Sequence, residues 1–190
     1  MIFLYADVET TGLDPNESSI FQIAGRFSKR GKSLDFNYKF RPYKGEIMTG
    51  QASKKTGYTI EDLESFPDQS PFFDEFIKNL EDFTNSKEEK IYLVGYNASF
   101  DMDFIRSWFL YNENPDFSKY FYFPCIDVMY LAAFALIGER KHIRNFQLST
   151  VYNYLTDKTL SGAHDAFNDI NATIEMLNII TRKLRGVDDR

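Results

Sequence analysis

Cysteine is almost absent from this sequence. Cys125 is the only one in 190 residues, which excludes an internal disulfide and a cysteine-rich zinc cage. No apolar run approaches the roughly 20 residues that a membrane-spanning helix needs. The apolar start, residues 1–6, lacks a basic region and is stopped by Asp7, so we expect no signal peptide. These absences predict a reducing, cytoplasmic setting without a membrane partner.

Positive charge is also scarce. The chain carries 22 Lys and Arg against 28 Asp and Glu, a formal net charge of −6. This balance argues against a protein whose affinity rests on broad neutralisation of phosphates. A small nucleic-acid site is still compatible with it, because divalent cations held by acidic residues reverse the local charge.

Repeats, low-complexity tracts and linkers are absent too. A length of 190 residues fits one domain, because single cores typically grow through roughly 100–200 residues before chains divide. The chain is 43% apolar and contains 19 Phe and 12 Tyr, which excludes the composition of a disordered protein. We therefore expect a single domain over residues 1–190.

Short apolar runs alternate with amphipathic segments along the chain. The predicted strands are residues 2–8, 19–27, 34–40, 91–95 and 121–123. The predicted helices start near residues 59, 70 and 99 or span 126–137, 148–155 and 165–184, with a basic loop over 138–145. A three-strand meander followed by strand and helix alternation predicts an α/β fold with a mixed central sheet and helices on both faces.

Two carboxylates mark the end of the first predicted strand. Asp7 and Glu9 lie two residues apart, so their side chains emerge on one face, where unpaired burial would cost several kcal/mol. A Lys or Arg neighbour could compensate, and so could hard divalent metal ions, which prefer carboxylate oxygens. No Lys or Arg lies in this segment, which favours metal. An ordinary pair at a strand end is the alternative.

Further polar residues follow the fourth predicted strand. Asn97 and Asp101 lie where that strand gives way to a helix, and ligand sites favour such strand ends. Asp101 or Ser99 could instead cap the helix. Asp103 is a nearby acidic residue that we do not assign to the site.

A third group opens the last predicted helix. His164 follows a glycine in a loop, and Asp169 lies one turn into the helix, which would aim its carboxylate from a rigid backbone. The alternative is an ordinary helix start, with Asp165 favouring the positive end of the helix dipole and His164 exposed in the loop.

Together the three groups resemble the DnaQ-like 3′-to-5′ exonucleases of the DEDDh type, a family that includes the proofreading subunit of bacterial DNA polymerase III. The similar segments, in order, are residues 7–13, 56–59, 97–104, 146–148 and 164–169. The resemblance extends from Phe3 to about Leu177 and implies a ribonuclease-H-like fold. It also implies an enzyme that hydrolyses phosphodiester bonds at a 3′ end and releases nucleoside monophosphates.

The resemblance assigns roles to five residues. The family's four acidic positions correspond to Asp7, Glu9, Asp101 and Asp169 and would hold two divalent ions, Mg²⁺ or Mn²⁺. Ions about 4 Å apart stabilise the attacking and leaving oxygens of an in-line displacement. His164 would be the general base that takes a proton from the attacking water, a role suited to a reference pKa of about 6.5.

The resemblance further implies a pocket for the terminal nucleotide. Its expected members are Thr10, Thr11, Gly12, Leu13, Asn97 and Phe100. Leu13 would wedge against the last base, although Leu13 and Phe100 are equally typical of core residues. Tyr96 departs from the family, because many relatives have histidine there, and that contact cannot be carried over.

The expected partner is a nucleic acid 3′ end, DNA rather than RNA, because residues 7–13 are closer to the proofreading branch. A DNA polymerase is a further candidate partner. One alternative is an exoribonuclease of the same family, and another is a non-catalytic module that binds nucleic acid or a polymerase. We interpret the basic residues 140–144 as a solvated loop, with phosphate binding as the alternative.

Overall fold

The central element of the protein is one mixed sheet. The structure, a computed structural model, describes residues 1–44, 47–86, 88–160 and 166–186. Within these ranges the strands are β1 (Ile2–Thr10), β2 (Ile20–Lys29), β3 (Lys32–Lys39), β4 (Ile91–Gly95) and β5 (Ile126–Asp127). Their order is β3-β2-β1-β4-β5, with β1 to β3 antiparallel and β4 and β5 parallel to β1. The predicted meander and mixed sheet are confirmed.

Helices connect and cover the strands. In the described ranges they are α1 (Gly50–Thr56), α2 (Ile60–Glu64), α3 (Ser70–Phe83), α4 (Ala98–Tyr111), α5 (Phe117–Tyr120), α6 (Val128–Ala135), α7 (Leu148–Thr156) and α8 (Ala166–Leu184). A 3₁₀ turn spans Ile137–His142. Thr59 and Asp62 form the capping box of α2, as their spacing predicts. We did not predict α1, because it has no buried residue and hence no apolar stripe.

The two faces of the sheet bury different clusters. Side chains alternate along β1, so Leu4 and Val8 pack in the cluster that includes Trp108 of α4. Phe3 and Tyr5 pack on the other face, against a cluster that includes Met176 of α8. Helices therefore cover both faces, as predicted, and the odd-numbered residues of β1 face α8. No helix in the described ranges has the length and apolarity needed to span a membrane.

The last strand differs from the prediction. A strand over residues 121–123 is wrong: Phe121 forms only an isolated bridge with Ile91, and pairing resumes at β5. Pro124 has no N–H to donate, which interrupts the ladder between the two points. The predicted basic loop contains the 3₁₀ turn, and the following elements agree with the prediction to within a few residues.

Close packing of β2 requires a glycine at position 25. A Cβ there would lie 2.5 Å from Phe36 Cζ and 3.0 Å from Tyr5 O. We expect Gly25→Ala to lower the free energy of unfolding by about 1–3 kcal/mol through overpacking, measured by urea denaturation. Gly50→Ala is the control, because nothing lies within 4 Å of a Cβ at Gly50. Equal denaturation midpoints for the two variants would contradict the prediction.

Candidate active site

The candidate site lies at one end of the sheet, where the parallel strands β1 and β4 finish. Asp7 and Glu9 belong to β1, and Asp101 belongs to the first turn of α4, which follows β4. The pairing of β1 with β2 shifts register between Glu9 and Thr10. Such bulges bend a strand and re-aim its side chains, and they are frequent next to active sites.

Asp101 is hydrogen-bonded to the backbone of β1. Its Oδ1 accepts a hydrogen bond from the Val8 N–H at 3.0 Å, and α4 begins without a side-chain cap at Asn97. Val8 lies between the two β1 carboxylates, so this bond brings Asp101 beside them. Burial raises the pKa of Asp101 to about 8, although the Val8 amide acts in the opposite direction.

Asp7 lies in the shared field of the other acidic residues. Burial raises the pKa of Asp7 well above its ordinary value of 3.8, and the negative charges of Asp101, Glu9 and Asp169 raise it further, in that order. Carboxylates from β1, α4 and α8 thus lie close enough to Asp7 to act on its charge. The structure brings together the acidic residues that the sequence nominated.

A lysine that the sequence analysis missed faces these carboxylates. Lys55 Nζ of α1 lies 3.5 Å from Glu9 Oε2, and its charge lowers the pKa of both Asp7 and Asp101. The Lys55 side chain is 59% exposed and that of Glu9 only 10%. Lys55 is far from Glu9 in sequence, so inspection of the first strand could not find it. Among the described residues, Lys55 is the one cation that acts on Asp7, against three neighbouring carboxylates.

The carboxylates do not yet form a ligand shell. Within the described ranges, no three or more His, Cys, Asp or Glu side chains are arranged to hold a metal ion. Asp101 is directed to the Val8 amide and Glu9 to Lys55. Like charges repel when no cation lies between them, so a shared ion requires some of these side chains to rotate.

A cavity of about 700 Å³ opens beside the carboxylates. Residues in its wall include Asp7, Lys55, Tyr96, Asn97, Phe146 and Asp169. The Tyr96 hydroxyl donates to the Phe146 carbonyl at 2.8 Å, which fastens one side of the cavity to the end of β4. The volume lies within the roughly 300–1,000 Å³ that is typical of small-ligand sites.

The turn after β1 is rigid and presents one apolar side chain. Thr10, Thr11 and Gly12 are buried, whereas Leu13 is 68% exposed. The Thr11 N–H donates to Ser19 O at 2.9 Å, and the Thr10 hydroxyl donates to Gly12 O at 2.7 Å. Leu13 is therefore not a core residue, and its side chain is open to contact from outside.

Asn97 and Phe100 occupy the start of α4. Asn97 is exposed and adopts a left-handed conformation with φ of 66°. Its N–H donates to Asp127 Oδ1 at 3.1 Å, a contact that the sequence did not predict. Phe100 is half-buried and packs on Phe104 with ring centroids 4.8 Å apart. Phe100 is thus part core and part surface.

Of the predicted site residues at the start of the last helix, some lie in the described part of the chain and some do not. Asp169 lies in the first turn of α8, as predicted. His164, the predicted general base, and Asp165 lie outside the described residues. The predicted role of His164 therefore stays a prediction.

Comparison with known proteins identifies the family. The sequence matches the family described as Exonuclease over residues 4–177. The chain belongs to this exonuclease family. It is 31% identical over 183 residues to the PolC-type DNA polymerase III of Oceanobacillus iheyensis, and 30% over 153 residues to that of Thermotoga maritima. These matches cover 96% and 80% of this chain but only 12% and 10% of the relatives.

Solved structures of E. coli exonuclease I share the fold. The complex with a dT13 oligonucleotide gives a TM-score of 0.76 at 20% identity, and the zinc-bound form with single-stranded DNA gives 0.74 at 22%. Each covers 98% of this exonuclease-family chain and 42% of the other chain. The ribonuclease-H-like fold and the resemblance to DnaQ-like exonucleases are confirmed, as is the prediction of a nuclease-family enzyme. The family generally uses divalent metals.

Proposed function

We propose that this chain is a metal-dependent 3′-to-5′ exonuclease that removes nucleoside monophosphates from the 3′ end of DNA, with preference for single-stranded or frayed ends. The observation that carries the proposal is the position of Asp7 in a chain of the exonuclease family: Asp7 lines a cavity together with Asp169, and the charges of Asp101, Glu9 and Asp169 all act on it. Relatives that are DNA polymerases and structural neighbours that bind oligodeoxynucleotides support DNA as the substrate and a polymerase as a candidate partner.

The donor chemistry of the site suits hard divalent cations. All four side chains offer carboxylate oxygens, the ligands that Mg²⁺ and Mn²⁺ prefer. Asp7 and Asp101 are buried with raised pKa values, so a cation would relieve both desolvation and mutual repulsion. Asp7, Glu9, Asp101 and Asp169 would hold two such cations. When bound, they would neutralise the charge that develops on the phosphate.

The chain's own side chains position the terminal nucleotide. The cavity beside Asp7, which Asn97 also lines, would take the terminal nucleoside, and exposed Leu13 and half-buried Phe100 would contact it from outside that lining. His164 would accept the proton of the attacking water. The water oxygen would then bond to phosphorus as the bond from phosphorus to the 3′ oxygen of the preceding nucleotide breaks. That 3′ oxygen would take up a proton from solvent to become a hydroxyl, and a nucleoside 5′-monophosphate would be released.

End-labelled oligonucleotides test the proposal. With Mg²⁺ or Mn²⁺, a 5′-labelled single-stranded DNA should shorten progressively, and a 3′-labelled one should release its label at once as a mononucleotide. Chelation should abolish both. Matched RNA should be degraded more slowly, as should a paired 3′ end. Faster degradation of RNA would assign an exoribonuclease, and internal fragments would contradict end-dependent cleavage.

Metal binding is measurable without turnover. We expect Mn²⁺ to raise the melting temperature of the chain, because a ligand that binds only the folded state adds about 2.7 kcal/mol of stability at 100 times its dissociation constant. Asp7→Asn should reduce this rise. DNA binding without cleavage and without a metal-dependent rise in melting temperature would indicate a non-catalytic module.

A further inference from the structure

A group of cations lies at one rim of the active-site cavity. The Arg140 guanidinium stacks over the Phe146 ring, 4.7 Å from its centroid, and Phe146 belongs to the cavity wall. Lys141 follows in the same 3₁₀ turn, and Arg144 lies two residues before Phe146. We call Arg140, Lys141 and Arg144 the basic rim. Its nearness to the cavity was not visible in the sequence, which favoured a solvated loop.

The segment that carries the basic rim is anchored to the body of the protein. Arg140 Nη1 donates to Ile143 O at 2.8 Å, and the Ile143 side chain is buried in the cluster that contains Met176. The Tyr96 hydroxyl holds the Phe146 carbonyl at 2.8 Å. A loop that served only solubility would need none of these contacts. The segment that carries the cations is therefore fixed next to the cavity wall at Phe146.

The charge of the basic rim is not cancelled by its own acidic neighbour. Glu139 lies in the same turn, but its carboxylate pairs with Lys183 of α8 at 2.6 Å and accepts from the Tyr154 hydroxyl at 2.8 Å. Lys141 and Arg144 are exposed, and neither forms an ion pair with a described residue. The rim therefore presents positive charge on a chain whose net charge is −6.

A single-stranded nucleic acid fits this surface better than other anionic partners. When the 3′ end of a nucleic acid reaches the carboxylates, the phosphates that precede that end must cross the edge of the cavity. The net negative charge of the protein would repel these phosphates there. Lysine and arginine offset that repulsion. The stacked pair of Arg140 and Phe146 also adds a planar face that suits a base, which an acidic peptide would not use.

We propose that the basic rim binds the phosphates of the strand upstream of the reacting 3′ end, so that the enzyme holds longer strands more tightly than short ones. This inference rests on the proposed exonuclease function, because it takes the direction of the strand from it. It assigns to Lys141 and Arg144 a binding role outside the catalytic carboxylates.

Charge reversal with salt titration tests the basic rim. The probes are a fluorescein-labelled oligothymidylate and a labelled dinucleotide, bound in the Asp7→Asn background so that turnover does not interfere. For single strands the salt slope of log affinity changes by about 0.7 per phosphate contact. We expect Lys141→Glu and Arg144→Glu each to reduce the slope for the long strand by about 0.7, and to leave dinucleotide binding unchanged.

The matched control is Lys78→Glu, which reverses an exposed lysine of α3 on the opposite face of the sheet. Affinities and slopes equal to those of this control would overturn the proposal. The proposal would also be overturned if polyglutamate displaced the labelled oligothymidylate more strongly than unlabelled oligothymidylate does, and if Lys141→Glu removed this effect. That result would indicate that the basic rim binds an acidic peptide. Circular dichroism confirms that each variant is folded. If wild-type chain does not cleave yet shows the slope difference, the proposed function fails and the basic rim stands.

Discussion

Asp7→Asn is expected to lower kcat about 10³-fold or more, because loss of about 4 kcal/mol of charge stabilisation at the phosphate corresponds to that factor. The same substitution should raise the melting temperature of the metal-free protein at pH 8. Both effects follow from one property of Asp7, a buried carboxylate among Asp101, Glu9 and Asp169. Single-turnover degradation of labelled DNA measures the first effect, and thermal unfolding in a chelator measures the second.

The sign of the stability effect follows from proton binding. The pKa of Asp7 is raised in the folded chain, so between its ordinary value of 3.8 and that raised value the folded state binds more protons than the unfolded state. Stability of the metal-free protein therefore falls as pH rises through this interval. Asp101, with a pKa raised to about 8, acts in the same direction. Asparagine carries no charge, so the gain from Asp7→Asn should be largest near pH 8 and small near pH 4.

Asp103→Asn is the matched control. Asp103 lies on α4 close to Asp101, but it is exposed, and the ion pair it forms within the described part of the chain is with Arg106, at 3.7 Å. Such surface pairs contribute about 0–1 kcal/mol, so neither kcat nor the pH dependence of stability should change appreciably. An Asp7→Asn variant that keeps its activity, or that is less stable than wild type at pH 8, would contradict the proposed site.

His164→Ala is expected to lower kcat by about 10²–10⁴-fold, the usual contribution of a positioned general base. Wild-type activity should rise with pH as the histidine loses its proton, because only the neutral imidazole accepts a proton from water. That rise should be absent in the variant. The measurements are kcat over a pH series at saturating metal, and circular dichroism to show that the fold is retained.

The chain contains one other histidine, which provides the control. His142 is exposed in the 3₁₀ turn, and His142→Ala should keep the wild-type kcat and pH profile on a short substrate. A His164→Ala variant with the same kcat as His142→Ala would remove His164 from the mechanism and leave another base to be found.

Much of the fold followed from local chemistry. The strand β1, the cap of α2 at Thr59 and Asp62, and the proline in the first turn of α3 depend on neighbours in the chain, so sequence patterns predicted them. The short β5 was missed because its two residues pair only where β4 offers an edge. The helix α1 was missed because it has no buried residues, so its sequence shows no apolar stripe at helical spacing.

The sequence by itself determined the candidates for the proposed chemistry: the acids of β1, Asp101, Asp169 and His164, through residue types and spacings. Only the tertiary structure decided what surrounds them. It turned Asp101 to the Val8 amide, set Lys55 against Glu9, and fastened the basic rim beside the cavity through Phe146 and Tyr96. Side-chain type is a local property, whereas burial, pKa and charge pairing depend on segments that meet only when the chain folds.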